Sequence, residues 1–150
     1  MVKEQRQEIL SRSEEETERI GRNLAGSLSP GTLITLDGAL GSGKTVLAGA
    51  IAEGRGVPRT QVQSPTYVIL RQYTTGNILI YHWDLYRIAT IDELETADLP
   101  ELLRDRSALT IIEWAGLFPS LWGHHAPRVE ITLSEGANHA ERRIDLVFVD

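Results

Sequence analysis

The chain has 150 residues, a net charge of −6, 41% hydrophobic and 24% charged residues, and no cysteine. This is the composition of an ordinary soluble globular protein, and with no internal repeat or low-complexity stretch it fits one domain over residues 1–150. It excludes disulfides, cysteine-ligated zinc and a thiol nucleophile, and argues against a broad cationic face for a nucleic-acid backbone.

The polar start Met1-Val2-Lys3-Glu4-Gln5-Arg6 lacks the apolar stretch of a signal peptide, and apolar runs such as Ala108 to Ile112 are too short to cross a bilayer. A cytoplasmic protein is therefore expected. Ser13 and Glu16 form a capping box, and Ile20, Leu24 and Leu28 then line one face of a helix that ends by Ser29-Pro30-Gly31. Glu14-Glu15-Glu16 reads as favourable charge at that helix start plus a solvated face. Thr32 to Asp37 is apolar and β-prone, as a buried parallel strand should be.

Gly38-Ala39-Leu40-Gly41-Ser42-Gly43-Lys44-Thr45 then spells G-x-x-x-x-G-K-S/T, the loop that cradles the phosphates of a nucleoside triphosphate. Its glycines let backbone N–H groups turn inward into an anion-binding nest. Lys44 reaches the β- and γ-phosphates, Thr45 offers a hydroxyl to Mg²⁺, and the following helix adds its positive dipole end. At average residue frequencies a chain of this length matches the pattern by chance roughly once in two hundred. The apolar strand before it, and Leu47, Ala50 and Ile51 at helical spacing until Gly54 and Gly56, supply the strand–loop–helix context that the motif requires.

Ser64-Pro65-Thr66-Tyr67 reads as a turn that opens a β-prone run from Tyr67 to Thr74. Gly76-Asn77 turns the chain into Ile78-Leu79-Ile80-Tyr81, giving a hairpin over residues 66–86. His82-Trp83-Asp84-Leu85-Tyr86-Arg87 follows, with His82, Asp84 and Tyr86 on one face of a strand and Trp83, Leu85 and Arg87 on the other. Asp84 could order an attacking water or hold a metal-bound one, and Arg87 could meet a phosphate or pair with an acid. Thr90 and Glu93 form a second capping box, with Pro100 separating two short helical pieces over about Ile91 to Arg104. Ala108 to Ile112 is a buried strand ending in Glu113-Trp114.

A phosphate loop needs a carboxylate at the end of such a strand, because Mg²⁺ held by Thr45 and phosphate oxygens still has open octahedral positions. Glu113 is the candidate, acting by direct ligation or through a metal-bound water. His124-His125 lacks metal-ligand spacing and reads as surface, and Trp122 as packing. Val129-Ile131-Leu133 and Ile144-Leu146-Phe148 alternate with more polar positions on either side of Gly136-Ala137-Asn138, a half-buried terminal hairpin. The sum is an α/β fold with a mixed sheet, parallel core strands plus antiparallel hairpins, flanked by helices.

Together the phosphate loop, Ser64-Pro65-Thr66-Tyr67, His82-Trp83-Asp84-Leu85-Tyr86-Arg87 and Ile112-Glu113-Trp114 resemble the bacterial TsaE family, formerly YjeE, the ATPases of tRNA threonylcarbamoyladenosine biosynthesis. The resemblance runs from the capped helix near Ser13 to the final hairpin. It implies a phosphate-loop fold and a small cytoplasmic ATPase that joins the TsaB and TsaD proteins. Those two transfer the threonylcarbamoyl group onto adenosine beside the anticodon, and hydrolysis supports their turnover. By motif, the loop from Gly38 through Ala39, Leu40, Gly41, Ser42 and Gly43 to Lys44 and Thr45 binds ATP or ADP, and Thr45 and Glu113 serve Mg²⁺. Asp84 joins Lys44 and Glu113 in the hydrolytic site, and Arg142 lies near the nucleotide. tRNA is met only through the partners, and no membrane is involved.

The chain departs from the family pattern at Ala115-Gly116, where a small residue followed by an acid is more common, and it stops at Asp150 without a longer family tail. Two other functions share the loop. One is a small-molecule kinase, which needs an Arg-rich lid to exclude water, and Arg104-Asp105-Arg106 is a weak candidate for one. The other is a nucleotide-gated binding module.

Overall fold

The computed structural model describes residues 3–62, 69–76 and 78–150. In chain order the elements are β1 (Glu4–Ser11), α1 (Glu14–Ala25), β2 (Leu33–Asp37), α2 (Lys44–Gly54), β3 (Leu70–Thr75), β4 (Ile78–Asp84), α3 (Ile91–Thr96), α4 (Leu99–Leu102), β5 (Ala108–Glu113), β6 (Arg128–Glu135) and β7 (Arg142–Val149). The strands form one seven-stranded sheet in the order β1-β7-β6-β2-β5-β4-β3. β2 is parallel to both β5 and β6, and β4 to β5, whereas β3–β4, β6–β7 and β1–β7 pair antiparallel. The expected mixed sheet is therefore present, with both hairpins continuing a parallel centre.

Strand alternation divides the core. Ile34, Leu36, Ile80, Leu109, Ile111, Val129 and Ile131 pack under Leu47 and Ile51 of α2 and Ala25 of α1. Leu33, Tyr81, Trp83 and Ile112 bury the opposite face with Leu94, Leu99 and Trp122. Every residue of β5 is buried, which its continuous apolar run requires of a strand covered on both faces. The terminal hairpin has the anticipated pairing, Val129 opposite Phe148, Ile131 opposite Leu146 and Leu133 opposite Ile144.

Three expectations need correction, and one strand was not foreseen. The first strand has no counterpart in the hydrophobic pattern: Glu4–Ser11 is almost wholly exposed and is held by its ladder to β7. Its end is knotted to α1 by Ser11, whose hydroxyl donates to Ser13 O at 2.8 Å and lies 2.6 Å from Thr17 Oγ1. α1 is capped as expected, Ser13 Oγ accepting from Glu16 N at 3.1 Å, a contact typically worth about 1 kcal/mol, but it stops at Ala25 with Gly26 as its C-cap. Leu28 is still buried, from the turn that follows and not from the helix face. Pro100 does not separate the two short helices; it lies in the first turn of α4, and the break is at Asp98, which adopts φ 64°. The expected hairpin over 66–86 is β3 and β4 over 70–84; Tyr67, like Ser64, Pro65 and Thr66, lies outside the described residues.

α1 and α2 cross at small residues. A Cβ on Gly21 would lie 2.6 Å from Ala50 Cβ, and one on Gly54 would lie 2.6 Å from Arg22 O and 2.7 Å from Ala25 Cβ. Since α2 carries the glycine loop at its start, this crossing fixes where the loop sits against the sheet. Gly54→Ala should push the helices apart and cost about 1–3 kcal/mol, the usual range for overpacking. Thermal denaturation against Gly123→Ala, whose new Cβ would meet nothing within 4 Å, checks it; equal melting temperatures would refute the close-packing argument.

Candidate active site

Parallel neighbours β2, β4 and β5 each end in an acid, Asp37, Asp84 and Glu113, with Glu113 in register with Leu36 on one side and Asp84 on the other. This is the C-terminal edge at which open α/β sheets bind ligands. From Asp37 the chain enters the glycine loop. Gly38 has φ 153°, and a Cβ there would sit 2.5 Å from Leu133 O and 2.6 Å from Ser42 Oγ. Gly43, with φ 101°, is the N-cap of α2, and no side chain caps the helix there, so its first N–H groups are unsatisfied by a cap.

Lys44 is folded into its own loop. Its Nζ donates to Gly38 O at 2.7 Å and Ala39 O at 2.8 Å, and it lies 4.0 Å from the centroid of the Trp114 ring. Burial lowers its pKa, against the opposing pull of Glu113, Asp84 and Asp37. Trp114 holds its place in a left-handed conformation, φ 63°, with its N–H on Leu36 O and its ring tilted against Tyr86 at 4.8 Å. The ring is thus a lid on the ammonium.

Glu113 is 2% exposed and both its oxygens are engaged. Thr45 Oγ1 donates to Oε1 at 2.9 Å, and His82 Nε2 lies 2.6 Å from Oε2. The expected Thr45–Glu113 pair is thus brought together from residues 68 apart in sequence. Asp84 is half-buried, its Oδ1 accepting from Tyr86 N at 2.9 Å; burial raises its pKa, opposed by that N–H and augmented by nearby Glu113. Asp37 was not singled out by any motif; its one signal was its place as the last residue before the loop. Its pKa is raised chiefly by burial, and it accepts the Gly116 N–H at 2.7 Å. A Cβ on Gly116 would lie 2.9 Å from that same Oδ1, so a larger residue at this departure from the family pattern would have to shift the Asp37 carboxylate.

A cavity of about 310 Å³ opens beside the loop, lined by Leu40, Lys44, Asp84, Tyr86, Arg87 and Trp114 among others. Arg87 therefore stands on the same side as Asp84 and Tyr86, contrary to strict alternation, because β4 ends at Asp84 and the period-two pattern ends with it. A second cavity of about 380 Å³ shares Gly41 and Gly43 and is walled by Ser13, Thr17, His139 and Arg142. Arg142 braces the loop between them, donating from Nε to Ser42 O at 3.0 Å and from Nη2 to Gly41 O at 3.1 Å.

The other candidates lie away from this centre. His124 is exposed as anticipated, whereas His125 is half-buried, its Nε2 3.2 Å from Gly31 O and its pKa lowered mainly by burial. Trp122 packs as expected and donates Nε1–H to Ala115 O at 2.6 Å. Among the described residues no group of three or more His, Asp or Glu has the arrangement of a preformed metal cage, and no helix is long and apolar enough to cross a membrane.

The fold and this edge define a class: an α/β protein in which a parallel strand runs through a glycine-rich phosphate-type loop into a helix, with an acid at the end of the adjacent strand. Within that class the match is specific. The family described as "Threonylcarbamoyl adenosine biosynthesis protein TsaE" covers residues 11–144, and the chain belongs to it. The chain is 40% identical over 103 residues to a tRNA threonylcarbamoyladenosine biosynthesis protein TsaE of Bacillus subtilis, covering 69% of this chain and 63% of that protein. It is 34% identical over 125 residues to the Rickettsia felis protein of the same description, covering 83% of this chain and 71% of the relative. The crystal structure of YdiB from Bacillus subtilis superposes with a TM-score of 0.72 at 28% identity, over all of this chain and 88% of the other.

The raised pKa of Asp84 has a stability consequence. Between its unfolded value of 3.8 and its raised folded value the folded state binds more protons, so this group's contribution to stability falls as pH rises through that window. Above that window the ionised carboxylate is therefore a net cost to stability. Asp84→Asn, which keeps the acceptor for Tyr86 N–H, should raise the melting temperature at pH 7.5, by on the order of 2–4 °C per kcal/mol relieved, and should give little gain at pH 4. A melting temperature that falls at both pH values would contradict it.

Proposed function

We propose that the chain is the ATP-binding and ATP-hydrolysing member of the tRNA threonylcarbamoyladenosine machinery, slow alone and stimulated by the TsaB and TsaD transferase proteins. The observation that carries the reading is the Thr45–Glu113 hydrogen bond, which sets a buried carboxylate beside the hydroxyl that follows the phosphate loop. Support for the pathway comes from family membership and from the relatives' printed description as tRNA threonylcarbamoyladenosine biosynthesis proteins.

The residues have distinct tasks. Lys44 exchanges the carbonyls of Gly38 and Ala39 for β- and γ-phosphate oxygens, a stronger, charge-assisted partnership for an ammonium that burial otherwise disfavours. The loop from Gly38 to Gly43, with the start of α2, supplies backbone N–H groups to the same phosphates. The oxygen donors Thr45 and Glu113 suit Mg²⁺, a hard cation. Thr45 Oγ1 keeps a lone pair for the ion while its O–H stays donated to Glu113 Oε1, which favours Glu113 acting through metal-bound water. When bound, Mg²⁺ neutralises charge on the β- and γ-phosphates. Asp84, whose pKa is raised towards the range useful for a base, orients the attacking water. The first cavity carries Lys44, Thr45, Asp84 and Arg87, which supports placing the reacting phosphates there, while Arg142 braces the loop from the side of the second.

The kinase alternative loses its lid. Arg104-Asp105-Arg106 precedes β5, so it lies roughly 20 Å along the strand from Glu113, at the opposite edge of the sheet. A nucleotide-gated module would share every part of the site and differ only in turnover. Phosphate release, measured alone and with the transferase pair, separates these readings.

Lys44→Ala should weaken ATP binding roughly 10- to 100-fold, the 1.5–3 kcal/mol of a hydrogen bond to a charged group, in a folded protein. Glu113→Gln should depress phosphate release more than Mg²⁺-free nucleotide binding, and Asp84→Asn should bind ATP but lose stimulation by TsaB and TsaD. Wild-type ATP affinity and turnover in folded Lys44→Ala would sink the reading. Isolated protein, with its charge of −6, should bind tRNA weakly at near-physiological salt, whereas ATP should promote association with the partners; tight, salt-sensitive filter binding by this chain alone would remove the partner-mediated model.

A further inference from the structure

Resting on the nucleotide reading above, we propose that His82 is a positioning residue that sets Mg²⁺ affinity by locking the orientation of Glu113. His82 is 1% exposed, and its Nε2 is 2.6 Å from Glu113 Oε2, the oxygen that Thr45 does not use. The two contacts fix both ends of one carboxylate from two directions, β4 through His82 and α2 through Thr45. A Glu side chain has rotatable bonds that an Asp lacks, so at the end of β5 it needs an external restraint to hold a water or cation at a fixed place. His82 supplies that restraint from the neighbouring strand, offset by two residues from the Asp84–Glu113 register pair.

The alternative is that His82 only fills core volume between Tyr73 and Glu113. Its ring does lie 6.5 Å from the Tyr73 ring, in a tilted arrangement, yet a packing residue has no need of a nitrogen aimed at a buried carboxylate oxygen. Without a donor there, Oε2 would be a buried, unsatisfied acceptor, and the carboxylate would turn towards whatever donor remained. That rotation would break the pairing with Thr45 Oγ1 or shift the water that Glu113 holds. The same dependence of a ligand group on the partner behind it operates at metal sites generally, where losing that partner typically costs about 10- to 100-fold in metal affinity or activity.

The test compares two neutral amides. Glutamine at this position carries its N–H₂ near the place of Nε2 and can reach Glu113, whereas asparagine reaches only as far as the ring's Nδ1. ADP affinity is measured by calorimetry without Mg²⁺ and across a Mg²⁺ titration, with melting temperatures as a fold check. His82→Asn should need about ten-fold more Mg²⁺ for half-maximal enhancement of ADP binding, His82→Gln less than about three-fold more, and both should keep Mg²⁺-free ADP affinity within about two-fold. In Glu113→Gln the difference between the two amides should vanish, since the carboxylate they orient is gone. Equal Mg²⁺ requirements in the two variants on the Glu113 background, or an undiminished difference on the Glu113→Gln background, would overturn the proposal whatever the melting temperatures. Failure of the wild-type chain to bind ADP or ATP at all would instead overturn the nucleotide reading beneath it.

Discussion

Glu113 is a carboxylate buried at the junction of three elements, and most of the site follows from what it takes to keep it there. An isolated charge in such a place would cost several kcal/mol. The cost is met by hydrogen-bond donors from both neighbours, Thr45 from α2 and His82 from β4. Those donors can arrive only if β4 and β5 are parallel and in the observed register, and if α2 starts directly above the end of β5. The sheet order and the close α1–α2 crossing are what bring α2 to that position. One buried group thus couples the topology of the sheet to the geometry of the glycine loop.

Lys44 presents the complementary case of a buried cation. It is satisfied by two carbonyls of its own loop and by the face of Trp114, so the loop is preorganised around a charge. Arg142 does the same from outside, holding the carbonyls of Gly41 and Ser42. Preorganisation of this kind lowers the ordering cost that an anion would otherwise have to offset on binding. The Trp114 ring lies over Lys44 and Tyr86 rests against that ring, so under the proposed reading a phosphate approaching Lys44 would meet the segment following β4.

The sequence made legible what depends on local pattern. The strand–loop–helix unit, both capping boxes, the buried run of β5 and the terminal hairpin all follow from periodicity and from residues whose backbone or side-chain chemistry allows few alternatives. Glu113 was legible because a continuous apolar run ended in an acid. What escaped depends on contacts distant in sequence. β1 carries no apolar alternation, since its order comes from the β7 ladder. Asp37 read as a strand end because its partner, Gly116, lies 79 residues away. Arg87 was placed on the wrong side because a two-residue period was extended past the point where β4 stops.

The charge balance at the loop finally bears on why a cation belongs to the proposed reaction. Three carboxylates, Asp37, Asp84 and Glu113, converge at the strand ends, and burial has pushed the pKa of Asp37 and Asp84 up, the mark of a place where further negative charge is unwelcome. Facing them are the Lys44 ammonium and, at the cavity wall, Arg87. Under the proposed reading a triphosphate brings several more negative charges into this space. Lys44 alone cannot offset them, because its own pull is already divided among Glu113, Asp84 and Asp37. A divalent ion held by Thr45 and Glu113 would offset that negative charge, and Glu113 would then hold the ion where it would otherwise repel the phosphates. Under that reading the acids at this edge would make the polyanion bind more tightly with the metal than without it, so that metal dependence would arise from the site's electrostatics as well as from its chemistry.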